Sequence, residues 1–261
     1  MGGASSGSDA GAGGGGYGLP TAQCVLLYDF DDASVSGTTM LDRSASGNHA
    51  TLSGAPASVP GVCSQARAFV AASSQFASTA GADNLKMVDG LYNVSITAHV
   101  KTTPGAEAMV FLCMVSNVGW FFSVTASGLV RFFFRVQDTD ASNNADITST
   151  TGGALGDGGF HTITATLNRS TKEVCLYVDG ALVGSGIGGP GTNTTTTLTF
   201  TSAKIATYPG PYFYTVTPDD LAVFRGDATG GALEGILTPA QVQTLSELRV
   251  AGVPLRTALG L

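Results

Sequence analysis

From Thr21 onward, apolar residues recur either at every second position or in short continuous runs, and Gly, Ser, Thr, Asn, Asp and Pro fill the spaces between. Successive side chains of a strand point to opposite faces, so this rhythm predicts short strands joined by turns rather than helices. "YNVSITAHVKTT" is the clearest case, with Val94, Ile96, Ala98 and Val100 set for one face. "AQCVLLYDF", "ARAFVA", "SQFASTA", "TLTFTSAKIAT" and "DDLAVFRG" read as further strands, and "DRSASGNHATLSGA" as a turn-rich connection. "AMVFLCMV" and "GWFFSVTA", joined at "SNVG", are apolar on both faces, whereas in "GLVRFFFRVQD" Val130, Phe132, Phe134 and Val136 alternate with Arg131, Phe133 and Arg135. One face of that last strand is core and the other meets a wetter surface. "FHTITATLNRSTKEVCLYVDGALVGSG" reads as a long hairpin pair, with turns at "NRSTKE" and "VDG".

Two segments break the strand rhythm. "LTPAQVQTLSEL" predicts a helix: Thr238 caps it, Pro239 suits the first turn, Gln241 completes a capping box, and Val242, Leu245 and Leu248 share one side. Residues 1–20 are a glycine- and serine-rich stretch that buries too little apolar surface to offset its ordering entropy, so neighbouring subunits are expected to hold it. The organisation predicted is an arm (1–20), an all-β sandwich (21–249) and an apolar tail (250–261) that docks on its own subunit or on a neighbour.

Composition narrows the function. Charged residues are 12% of the chain and the formal charge is -7, so no basic field exists to attract nucleic acid or anionic lipid. The most membrane-like stretch, Ala108 to Val124, is interrupted by Ser116, Asn117 and Gly119 before it reaches a spanning length, which favours a hairpin. Cys24, Cys63, Cys113 and Cys175 are too scattered for a disulfide scaffold or a zinc knuckle and read as buried free thiols, with a single disulfide as the alternative. The N-terminus has neither a cationic start nor an apolar stretch, so no secretory signal is expected.

The order of landmarks resembles the laminin-G-like jelly-roll domains of the concanavalin A-like superfamily. "LLYDFDD" followed by "LDRSASGNHATLSGAP" is similar to the family's opening strand, acidic turn and Asp-x-Ser-x-x-Gly-Asn loop. "DGGFHTITATLNRSTKEVCLYVDGALVGSG" is similar to its central strand pair, with Phe160 where tryptophan is usual and His161 matching a framework histidine. "PDDLAVFRG" with "LTPAQVQTLSEL" resembles the last strand and terminal helix, so the likeness covers about residues 23–249. It implies a two-sheet antiparallel sandwich with one short C-terminal helix. It also implies, in many members, one structural calcium ion between acidic turns of the first and last strands, here at Asp31 and Asp220.

Fold likeness carries no ligand with it, so each chemistry is read from residues. Glycanases of this fold set carboxylates along one strand, but Glu107, Glu173, Glu234 and Glu247 do not form such a pattern; the nearest acidic pair is Asp138 with Asp140. "GSGIGG" at 184–189 precedes no helix and reads as a loop rather than a dinucleotide site. His49, His99 and His161 lack a nearby nucleophile, so no enzyme is expected. Sugar recognition needs aromatic faces beside polar groups, and Trp120, Tyr208, Tyr212 and Tyr214 are the candidates, the tyrosines being the better ones because Trp120 sits among apolar strand neighbours.

A family that works outside cells is reconciled with no visible export signal if the chain is a bacteriophage virion protein, made in host cytoplasm and released by lysis. The expectation is a non-catalytic decoration, fibre or tail component. It would be held to other virion proteins by the arm, work as a homo-oligomer or part of a larger assembly, and present an adhesive or glycan-binding sandwich to a cell surface. A secreted or cell-surface glycan-binding module is the alternative, and a degenerate glycanase the third reading.

Overall fold

The computed structural model describes residues 16–80, 85, 92–115, 118–135, 144–151, 155–189, 202–226 and 233–261. The first half supplies strands β1 (Cys24–Tyr28), β2 (Val35–Ser36), β3 (Thr39–Met40), β4 (Ala50–Ser53), β5 (Ala57–Pro60), β6 (Gln65–Ala68), β7 (Phe76–Ala80), β8 (Val94–Thr102), β9 (Ala108–Val115) and β10 (Val118–Val124). The second supplies β11 (Val130–Arg135), β12 (Asn144–Thr148), β13 (His161–Asn168), β14 (Glu173–Val178), β15 (Ala181–Ile187), β16 (Ser202–Ile205), β17 (Thr207–Tyr208), β18 (Tyr212–Phe213) and β19 (Val216–Arg225). Helices α1 (Pro239–Ala251) and α2 (Leu255–Leu259) end the chain.

The strands form the expected two-sheet antiparallel sandwich. Six lie in the order β1-β19-β8-β13-β14-β15, and nine in the order β12-β11-β10-β9-β16-β7-β4-β3-β2. The first and last strands are therefore neighbours, which draws the acidic turns after β1 and within β19 together. Between the sheets, Val94, Ile96, Ala98 and Val100 are fully buried, as their alternation predicted. They face a wall of rings, in which Trp120 lies 5.0 Å from Phe111 and 5.9 Å from Phe132 between ring centroids. Each such side chain contributes about 1.5–3 kcal/mol by leaving water.

The outer face of the six-stranded sheet carries a helical layer. Thr238 accepts from the Gln241 amide while the Gln241 side chain accepts from the Thr238 amide, so the capping box forms as read. Val242, Leu245 and Leu248 pack with Leu27, Ala222 and Phe224 of the sheet. The last residues join the same layer: Leu255, Ala258 and Leu259 are buried there, and Thr21 donates to the Leu259 carbonyl at 2.7 Å. The apolar tail thus docks on its own subunit. Of the arm, residues 1–15 lie outside the described residues; Leu19 is buried in the helical layer and the Gly18 carbonyl accepts from Gln241 Nε2.

Both flanks of the six-stranded sheet are closed. Beside β1, the buried Asp42 carboxylate accepts from the amides of Leu27, Ser44 and Asn48 and from the Ser44 hydroxyl, fixing the loop against the strand. At the other flank β15 packs on β12. There the "GSGIGG" segment is largely a strand, not the loop its composition suggested, because a Cβ on Gly184 would sit 2.8 Å from Ser149 Cα and one on Gly188 2.7 Å from the Asn144 carbonyl oxygen. Alternate glycines let the two sheet edges touch. Among the described residues, no helix is long and apolar enough to cross a membrane, and β9 and β10 pair as the expected hairpin.

Gly184→Val should lower the free energy of unfolding by about 1–3 kcal/mol in a urea titration. Ser185→Val, on the exposed side of the same strand, should change it by less than about 0.5 kcal/mol; equal losses would contradict the edge contact.

Candidate functional site

The nine-stranded sheet has a second apolar face. On β9, β10 and β11 the side chains that turn away from the core include Met109, Leu112, Met114, Phe121 and Phe133, which form a buried cluster of their own with Tyr208 and Tyr214 packed against it. Register explains the grouping. Phe121 stands opposite Phe133 on one side and Leu112 on the other, and Gly119 stands between Arg135 and Met114. A continuous apolar run such as "AMVFLCMV" needs cover on both faces, and here the outer cover comes from the β17–β18 hairpin and from arginine side chains.

These residues line an open cleft of about 320 Å³ bounded by Glu107, Met109, Met114, Phe121, Arg131, Phe133, Arg135, Tyr208 and Tyr214. Phe121 and Phe133 stack nearly parallel, 5.0 Å between centroids and 10° between planes, and Tyr208 meets Phe121 edge-on. The Arg131 guanidinium lies 5.2 Å over Phe121 and that of Arg135 5.3 Å over Phe133. Arg131 also forms a two-point pair with Asp146, through Nε at 2.8 Å and Nη2 at 2.7 Å, which raises its pKa further, with Glu107 and Tyr208 adding smaller contributions. Burial, followed by the negative charge of Glu107, raises the Tyr214 phenol. Among the described residues, the cleft therefore holds two phenols, two guanidiniums and one carboxylate around a ring-lined floor.

Among the sequence candidates, Tyr208 and Tyr214 come together in this cleft. Tyr212, at 60% exposure, does not line it. Trp120 is corrected outright: it has no exposed surface, and its indole donates to the Leu85 carbonyl at 3.3 Å within the core. Its strand alternation with Phe122 and Val124 places it inward. Met109, Met114 and Phe121 were not singled out from the sequence; the signal for them was the two-faced apolar run. Asp138 and Asp140 lie outside the described residues.

The histidines serve the framework. His49 accepts from the Asp42 amide, His99 is fully buried against Thr162, and His161 bridges Asp179 at 2.7 Å and Asp157 at 3.1 Å. Burial opposes the charged form of His161, but those two carboxylates outweigh it and raise its pKa. All four cysteines are free thiols; Cys24 and Cys113 are buried, and Cys63 and Cys175 partly so.

Asp31 and Asp220 do lie in one acidic cluster with Asp29 and Asp219, yet the donors do not fit a calcium ion. Asp31 Oδ1 accepts from the Gln65 amide, Asp220 Oδ2 from the Leu255 amide and Asp219 Oδ2 from the Val62 amide. Asp29 Oδ2 pairs with Arg43 and Arg256. Among the described residues no group of three or more His, Cys, Asp or Glu is placed to hold a metal. The cluster instead pins α2 to the sandwich. Burial, reinforced by neighbouring carboxylates, pushes Asp219 up to about 6 and Asp220 well above the ordinary range.

The comparisons with known proteins bear on this geometry. The model of the Laminin_G_3 family, described as concanavalin A-like lectin/glucanases superfamily, matches residues 73–230. The chain belongs to that family. Among curated proteins, none matches its sequence. Solved structures similar to it include the binding domain of Paraclostridial Mosquitocidal Protein 1, at TM-score 0.65 and 12% identity over 87% of this chain. The binding domain of Botulinum neurotoxin DC is similar both in complex with rat synaptotagmin II (TM-score 0.65, 14% identity, 88% of this chain) and with SialylT (0.63, 12%, 88%). This chain spans 52% of each of those chains, and at such identities the likeness shows the fold alone.

Two measurements check the acidic cluster. A chelator should leave the melting temperature of this laminin-G-like chain unchanged; a fall reversed by added calcium would contradict the fit. Between pH 4 and about 6 the folded protein holds a proton on Asp219 that the unfolded chain has released, so this group's contribution to stability falls as pH rises through that window. Asp219→Asn should remove that part of the pH dependence in urea titrations at pH 4, 5 and 6; an unaltered difference between pH values would contradict it.

Proposed function

We propose that this chain is a non-catalytic glycan-binding module and that the cleft on the outer face of β9, β10 and β11 is its ligand site. One observation carries the reading: an open cleft ringed by the Tyr208 and Tyr214 phenols, Arg131 and Glu107 stands on strands of the rigid sandwich, over a floor of nearly buried Phe121 and Phe133. Apolar sugar faces can pack on the phenol rings, and hydroxyls need the donors and acceptor at the rim. Membership of a lectin and glucanase superfamily supports the reading, as does the likeness in fold to toxin binding domains.

Hydrolysis is disfavoured by the carboxylate inventory. Cleavage of a glycosidic bond uses two carboxyl groups flanking it, and among the described residues lining the cleft Glu107 is the one carboxylate. Carriage of the module on a bacteriophage particle through residues 1–20 is the finer proposal from the sequence, and it turns on residues 1–15, outside the described residues.

The test is a glycan array followed by calorimetry on the strongest hits. Tyr208→Ala and Tyr214→Ala should each weaken binding about tenfold or more, equivalent to about 1.4 kcal/mol, while Tyr212→Ala should bind as the parent does. Binding lost on Tyr212→Ala and kept on the other two, or no glycan bound at all, would overturn the assignment.

A further inference from the structure

His161 opens β13 at the end of the sandwich that also carries the β8–β9 and β14–β15 turns, and both of its ring nitrogens face carboxylates. Nδ1 stands 2.7 Å from Asp179 Oδ2 and Nε2 3.1 Å from Asp157 Oδ1. An ionised carboxylate only accepts and a neutral imidazole has a single N–H, so the two contacts are made together only by the imidazolium. The two are unequal. Asp179 also accepts from the Thr162 amide at 2.9 Å and pairs at 3.1 Å with Arg249 of α1, which reaches the Phe160 carbonyl as well. Asp157 is exposed, and its other bond, from the Gly159 amide at 2.7 Å, stays within its own loop. When the ring loses a proton it keeps its N–H on Asp179 and turns a lone pair toward Asp157, so the contact to Asp157 is the one released.

The loop that Asp157 holds touches the turn that carries a rim residue of the cleft. Leu155 is buried in the core and β13 begins at His161, so residues 155–160 are fixed at both ends. Between those ends Gly156 and Gly158 take φ of 118° and 92°, a region that favours glycine. A Cβ on Gly156 would lie 3.2 Å from Pro104 Cα. Pro104 belongs to the β8–β9 turn, in which the Ala106 amide donates to the Thr103 carbonyl at 3.3 Å, and the next residue is Glu107. Contact thus runs without a break from His161 through Asp157, Gly156 and Pro104 to the cleft.

Few other charges face His161. From α1, Arg249 lies beyond Asp179, and Glu247 is exposed and bonded to Gln243. From β8, Lys101 is exposed, and His99 is fully buried and pushed down to about 3 by burial and then by Arg249, so it stays neutral. Asp219 of β19 stands opposite His99, one strand further away. Residues 152–154, just before the loop, are Gly, Gly and Ala.

Resting on the reading of the cleft as a glycan site, we propose that His161 is a proton-operated catch. Its protonated ring holds loop 155–160 against the Pro104 turn and so fixes Glu107 for a ligand hydroxyl; its deprotonation frees the loop and weakens binding. Burial lowers the pKa of His161, but the bonds to Asp179 and Asp157 outweigh it and raise the value above the ordinary 6.5. The catch is therefore closed below that range and opens as pH rises through the raised value.

The experiment follows the full chain by NMR from pH 6 to pH 9 without ligand. Calorimetry at both ends of that range then uses the tightest-binding uncharged oligosaccharide of the glycan array. The His161 ring and the amides of Gly156, Gly158, Gly105 and Glu107 should titrate with one midpoint, and binding should weaken about fivefold or more at pH 9. His161→Gln should abolish the shared titration. Asp157→Asn, at an exposed position, replaces the carboxylate with an amide that accepts from the imidazolium and donates to the neutral ring. It should keep the pH 6 affinity at pH 9. A His161 midpoint that Gly105 and Glu107 do not share, or an Asp157→Asn variant that loses affinity in parallel with the parent, would overturn the catch and leave the glycan site standing. If no oligosaccharide binds at either pH, the glycan reading fails, and the shared midpoint still decides whether Glu107 moves with His161.

Discussion

Everything in this molecule depends on strands β9, β10 and β11 having to bury both of their faces. Their inward side chains, Phe111, Trp120, Phe122, Phe132 and Phe134, are the bulk of the core wall, and no other part of the described sandwich carries so many rings. Their outward side chains are also apolar, so the outer face cannot be left to water as an antiparallel sheet's second face usually is. The β17–β18 hairpin covers part of it and arginines lie over the rest. Cover that is incomplete and polar at its rim is what a cleft for a ligand consists of.

The opposite sheet solves the same problem with helices. Its outer face is sealed by α1 and α2, and the acidic cluster beside β1 and β19 ties α2 down through Asp220 and Asp29. Where many folds of this type would be read for a metal, these carboxylates are spent on backbone amides and guanidiniums, and their burial keeps Asp219 and Asp220 inclined to hold protons. The two outer faces thus differ in kind: one is packed by the chain itself, while the other is left open over rings, phenols and guanidiniums.

The strand pattern, the capping box and the inward set of β8 were legible in the sequence because each depends on local periodicity or on residues three apart. Trp120 shows where that legibility stops short, since its large ring suggested a platform while its alternation with Phe122 already pointed inward. "GSGIGG" was read as a loop because glycine weakens strands; the reason for three alternate glycines is contact with Ser149, Ile147 and Asn144, some 35 to 45 residues away in the chain. The cleft was half legible. Tyr208 and Tyr214 were found from composition, but their meeting with Arg131, Phe133 and Glu107 depends on the pairing of β9, β10 and β11 and on the fold-back of β17, which no local pattern encodes.

The central claim is that the outward apolar face of β9, β10 and β11 is the binding face. Amide chemical-shift mapping during titration with the tightest-binding oligosaccharide of the glycan array tests it most directly. The account predicts that perturbations centre on Glu107, Arg131, Phe133, Arg135, Tyr208 and Tyr214 and fade across the helical layer. Perturbations centred instead on Thr166, Cys175, Tyr177 and Leu233, beside α1, would contradict it.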